Sequence, residues 1–122
     1  MDKKILVEQA IQRFLATGGK LIRCSFGVKK QHIIDTDEYE WSPYASEQPA
    51  CCGLSCYLLT TRTKHNSIGD SLDAAFGHAW AVFFMQGFDN GPIENAFSHK
   101  QINDDDRDAY SFGAEMWKKY GV

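Results

Sequence analysis

Between Ile68 and Phe88 the apolar residues spread too widely for a helix with one wet face. Ile68, Leu72, Ala75, Phe76, Ala79 and Phe83 recur at helical spacing, and Trp80, Phe84 and Phe88 extend that stripe sideways. A helix with so broad an apolar surface is covered on more than one side and lies at the centre of a core. Ser67 or Asp70 caps its start, where a short polar side chain accepts from the first unpaired amides. A chain of 122 residues supplies the cover from within one domain, spanning 1–122.

The flanks supply candidate covering elements. Asp2 caps an N-terminal helix whose apolar residues are Leu6, Val7, Ala10, Ile11, Phe14 and Leu15, and Gly18-Gly19 ends it. Leu21 to Phe26 reads as a strand, Gly27 as a turn, and Lys30 to Ile34 as its hairpin partner. Residues 35–50 read as a long loop restricted by Pro43 and Pro49. Leu54 to Thr61 reads as a third strand. Beyond the turn-rich joint at Gly87-Phe88-Asp89-Asn90-Gly91-Pro92, Pro92 suits the first position of a short helix over Ile93 to His99. A last helix starts near Asn103. Asp104, Asp105 and Asp106 lie at its positive end, and Lys118 and Lys119 at its negative end. Its apolar stripe is Ala109, Phe112, Gly113, Met116 and Tyr120. The expected class is α+β: an N-terminal helix, a three-stranded antiparallel sheet, and a C-terminal helical hairpin packed on one sheet face. Three short strands leave an open edge, which predicts a homodimer.

Charge narrows the partners. Residues 1–67 carry 9 Lys and Arg against 7 Asp and Glu, a net of +2, and residues 68–122 carry 4 against 9, a net of −5. A surface that tracks nucleic-acid phosphates needs the opposite sign on its helices, so nucleic acid is not the expected partner. Glu8, Gln9 and Gln12 interrupt any signal-peptide core after Lys3 and Lys4, and the apolar run from Ala74 to Phe84 is too short to span a bilayer. The expected location is cytoplasmic, with the four cysteines reduced.

Two clusters carry candidate chemistry. Cys51, Cys52 and Cys56 lie close together, with Cys24 upstream and His65 downstream, but no CxxC knuckle supports zinc and no cofactor is expected. The acidic-aromatic segment is the leading candidate. In it Tyr39, Trp41 and Tyr44 interleave with Asp37, Glu38 and Glu40, and carboxylates beside aromatic faces favour a basic protein surface or a small cationic ligand. The expected function is therefore a non-enzymatic binding or adaptor protein that uses those six residues.

Two resemblances give alternatives. Cys52-Gly53-Leu54-Ser55-Cys56-Tyr57 and His78-Ala79-Trp80-Ala81-Val82 resemble the cysteine and histidine boxes of papain-type proteases. That likeness implies a small thiol-dependent enzyme using Cys52 or Cys56 with His78 as base. The chain is about half the size of that family, its boxes are closer in sequence, and Cys56 falls in a run that reads as extended. Gly87-Phe88-x-x-Gly91, Glu94-Asn95-Ala96-Phe97 and Arg107-x-x-Tyr110-x-x-Gly113 are similar to the helical hairpin of the ribosome modulation factor family. This second likeness covers about a quarter of the chain and implies a ribosome- or RNA-associated factor. The family's hairpin is basic, whereas this half is acidic, and Ala96 stands where the family has proline. The small residues of the joint fit close helix packing equally well, with Gly113 and Ala109 facing Gly77 and Ala81.

Overall fold

The computed structural model describes residues 2–44, 48–93 and 101–121. Helix α1 spans Lys3–Ala16, and the Asp2 side chain accepts the Lys4 amide at 2.8 Å. It buries Val7, Ala10, Ile11 and Phe14, the face its spacing predicts. The chain turns out of the helix at Gly18, which takes a left-handed φ of 92°.

Four strands follow. Strands β1 (Lys20–Leu21) and β4 (Ala50–Cys51) form a short parallel pair. Strands β2 (Val28–Ile33) and β3 (Glu38–Pro43) form an antiparallel ribbon, with Val28 opposite Pro43 and Ile33 opposite Glu38. A bridge between Tyr39 and Thr63 adds a third segment to the ribbon at one point.

Two expectations need correction here. Residues 38–43 are a strand rather than part of a long loop, and they, not Leu21 to Phe26, pair with β2. Pro43 is compatible because it falls where the backbone faces away from β2, so its missing N–H removes no ladder bond. The run from Leu54 to Thr61 is not a strand but carries a single helical turn, α2 (Ser55–Leu58). Apart from Ser55 its first six residues are apolar or aromatic, and so short a run does not distinguish a buried strand from a buried helix.

The C-terminal half is helical. The long apolar segment is divided into α3 (Ile68–Phe76) and α4 (His78–Phe88) by Gly77, whose φ of 86° no ordinary helical residue adopts. Ser67 caps α3 by accepting the Asp70 amide at 3.1 Å. Helix α5 (Asp104–Tyr120) opens with a capping box, in which the Asn103 side chain accepts the Asp106 amide and Asp106 accepts the Asn103 amide. The expected short helix from Ile93 to His99 falls almost entirely on residues 94–100, outside the described residues.

Helices α4 and α5 cross closely enough that a Cβ on Gly113 would strike the Phe84 carbonyl, and one on Gly87 the Tyr110 carbonyl. The crossing lies further along α4 than Gly77 and Ala81, at Phe84 to Phe88. The core runs through this crossing. Phe76, Trp80, Phe84 and Phe88 stack in sequence at 5.4, 5.5 and 5.9 Å, and Phe112 and Trp117 of α5 close on them at 5.7 and 5.5 Å. Each fully buried phenylalanine contributes about 1.5–3 kcal/mol. Helix α1 covers the same core from α2 and α5. The molecule is α+β, as its pattern predicts, and no described helix is long and apolar enough to cross a membrane.

Candidate functional site

The six residues of the acidic-aromatic segment are not brought together. Strand alternation puts Tyr39 and Trp41 on one face of β3 and Glu38 and Glu40 on the other. Tyr39 stacks on His32 at 4.9 Å beneath the Lys30 ammonium. Trp41 is buried, 6% exposed, and its Nε1–H has no hydrogen-bond partner among the described residues. Glu40 pairs with Arg62 at 2.8 Å, and Asp37 with His32 at 2.7 Å. Tyr44 is exposed at the end of the ribbon. The segment's groups are spent largely on holding the ribbon.

The thiols and His78 are also apart. Cys56 is fully buried, and its Sγ donates to the Cys52 carbonyl at 3.4 Å. Cys52 is 5% exposed, with its Sγ 3.2 Å from Ser55 Oγ. Burial pushes both thiols up, and pushes Cys51 up to about 12, so none is a ready thiolate. His78 begins α4, bonds Asp73 at 3.0 Å, and lines a different cleft with Lys3 and Trp80. His65 is exposed in the 63–66 segment. Among the described residues no three His, Cys, Asp or Glu side chains converge on a metal position.

One cleft does collect suitable groups. It has a volume of about 300 Å³ and lies between the 24–26 segment, the Cys52-Gly53 turn and the last turns of α4. Its wall is apolar: Phe26, Val82, Phe84, Met85 and Phe88, with Cys52 and Gly53. Gln86, Ser25 and Asp89 are its polar members.

Local structure builds it from distant parts of the chain. Cys24 adopts a left-handed φ of 62° and presents its amide to Asp89 Oδ1 at 3.0 Å. Next to it, Arg23 Nε donates to the Phe88 carbonyl at 2.7 Å, and its guanidinium lies 4.2 Å from the Trp117 ring. That contact places a cation on the negative end of α4. The Cys52 amide bonds the Phe26 carbonyl at 3.2 Å and closes the opposite wall. Asp89 therefore keeps carboxylate acceptor capacity beside aromatic rings, and no described cation lies within ion-pair distance of it.

Spacing alone did not reveal this site, since its parts come from residues 24–26, 52–53 and 82–89. One signal was present: Asp89 follows an apolar helix, where a cationic residue would serve stability better.

The spacing similar to the ribosome modulation factor hairpin has a packing role here. The Tyr110 hydroxyl donates to the Gly91 carbonyl, and Gly113 meets Phe84 and Phe88. Glu94 to Phe97 lie outside the described residues. Comparison of the chain with known protein families, curated proteins and solved structures finds no match.

Proposed function

We propose that this protein is a non-enzymatic binding protein for a small, largely apolar cation held in the cleft beside Asp89. The observation that carries the proposal is a carboxylate without a cationic partner among the described residues, on an apolar cleft whose accessible wall is Phe26, Val82 and Met85. Small-ligand sites combine an apolar wall with a few placed polar groups, and a volume of about 300 Å³ lies at the lower end of their range. The ligand is accordingly of the size of one aromatic ring with a short basic arm. Its ring lies against Phe26, where ring–ring contact adds to burial, and its ammonium faces Asp89. Thiol catalysis receives no such support, because burial pushes the Cys52 and Cys56 thiols up and His78 lines another cleft.

The test uses 2-phenylethylammonium as probe, with amide chemical shifts as readout. Saturable shifts confined to Phe26, Gly53, Gln86 and their neighbours, lost in Val82→Trp, are the expected result. Shifts centred on Tyr39, Trp41 and Tyr44 would move the site back to the ribbon, and no saturable shift at millimolar probe would remove the proposal.

A further inference from the structure

The β2–β3 ribbon has one open edge, and its hydrogen-bonding register can be worked out residue by residue. Tyr39 exchanges both backbone bonds with Thr63, N–H to carbonyl at 2.7 and 3.0 Å, so its backbone faces away from β2. The Tyr44 amide, in contrast, bonds the Gly27 carbonyl. In an antiparallel ladder these roles alternate. Lys29, Gln31 and Ile33 therefore point their N–H and C=O groups at β3, and Val28, Lys30 and His32 point theirs outward. Among the described residues no strand pairs with that outer edge, and residues 29–32 are all exposed.

The edge also has a sign. Strand β2 carries Lys29 and Lys30 and no carboxylate. Lysines on an edge oppose pairing with a second basic strand. A two-fold antiparallel pairing of two β2 strands would gather four lysines about its axis, so a second copy of this chain is a poor occupant. An extended segment with carboxylates meets both the unpaired backbone groups and the lysines.

We propose that the outer edge of β2 accepts an acidic, extended segment of a partner protein by strand addition, with the exposed Lys30 and His32 supplying the backbone bonds and Lys29 the charge selection, since the Lys30 ammonium is held over Tyr39 and on the Asn66 carbonyl. This surface is separate from the cleft beside Asp89, and its test uses a different probe.

The probe is a blocked seven-residue peptide alternating glutamate with valine, compared with its lysine counterpart and with an N-methylated version. The full chain should bind the glutamate peptide at least tenfold more tightly than the lysine peptide. Amide exchange at Lys30 and His32 should slow at least tenfold on binding, while Lys29, Gln31 and Ile33 are protected with or without peptide. N-methylation should abolish binding. Lys29→Glu should weaken the glutamate peptide about tenfold and strengthen the lysine peptide. His32→Pro, which removes one outward N–H without touching the ladder, should also weaken it. Equal affinity for the two charges, or binding indifferent to N-methylation, overturns the proposal. So does concentration-dependent protection of Lys30 and His32 without peptide, which would make a second copy the occupant.

Discussion

Asp89 Oδ1 accepts the backbone amide of Cys24 at 3.0 Å, tying the end of α4 to a residue held in a left-handed conformation. A carboxylate at the negative end of a helix opposes the helix dipole, at a cost of about 0.3–1 kcal/mol for an exposed group. An asparagine would keep the bond to Cys24 without that repulsion. Asp89→Asn is therefore expected to leave folding stability unchanged or raise it by up to about 0.5 kcal/mol. Urea unfolding of the two proteins checks this. A clear loss of stability would mean that the charge serves the fold and not a ligand.

The crossing of α4 and α5 gives a prediction in which the sign decides. Within an exposed helix, Gly→Ala stabilises by about 1 kcal/mol. At Gly113 the added methyl meets the Phe84 carbonyl and the Phe88 amide. Gly113→Ala is expected to destabilise by about 1–3 kcal/mol, read as a lower denaturant midpoint at unchanged slope. A stabilised variant would show that the helices do not approach as described.

Cysteine reactivity separates a binding protein from a thiol enzyme. Cys24 is exposed, and Cys51, Cys52 and Cys56 are buried. Raising a thiol from 9.0 to about 12, as at Cys51, lowers its thiolate fraction near neutral pH about a thousandfold. Iodoacetamide is expected to label one cysteine per native chain, at Cys24, and four after unfolding. Rapid labelling of Cys52 in the native protein would revive the enzyme reading.

Glu8 ties α1 to the end of α5, accepting from Lys119 Nζ at 2.8 Å and from the Tyr120 hydroxyl at 2.6 Å. The Lys119 bond first, and the Tyr120 bond second, hold its carboxyl below the ordinary carboxylate range. A depressed carboxyl stabilises the fold above its unfolded value of 4.5, and that contribution disappears as pH falls through the lower folded value. Glu8→Gln should therefore reduce stability at pH 7 and flatten its decline between about pH 5 and pH 3. Thermal midpoints across that range provide the measurement. Parallel curves for the two proteins would show that the contact is not formed in solution.

Periodicity and end signals recovered the helical framework. The α1 stripe, the Ser67 cap, the Asn103 start and the charges at both ends of α5 all depend on residues within a turn of one another. The ribbon is less legible in the sequence. The alternation from Glu38 to Trp41 is a strand pattern, but Pro43 and the acidic composition resemble a loop unless the ladder parity is known. The run after Leu54 lacks period, and Gly77 interrupts a stripe that looks continuous because aromatic spacing persists across it. The cleft has no sequence signature for a different reason. Cys24, Cys52, Phe84 and Asp89 meet only through tertiary packing, and no local spacing encodes that meeting.

Selection of a small apolar cation by the cleft rests on the Asp89 carboxylate. Calorimetric titration of 2-phenylethylammonium and of 3-phenylpropionate, into the native protein and into Asp89→Asn, tests it most directly. The native protein should prefer the ammonium about tenfold, as expected of one charge-assisted contact at a partly exposed rim, and Asp89→Asn should bind the two with near-equal affinity and its fold intact. Equal binding of the two probes by the native protein, or a preference that survives in Asp89→Asn, would contradict it.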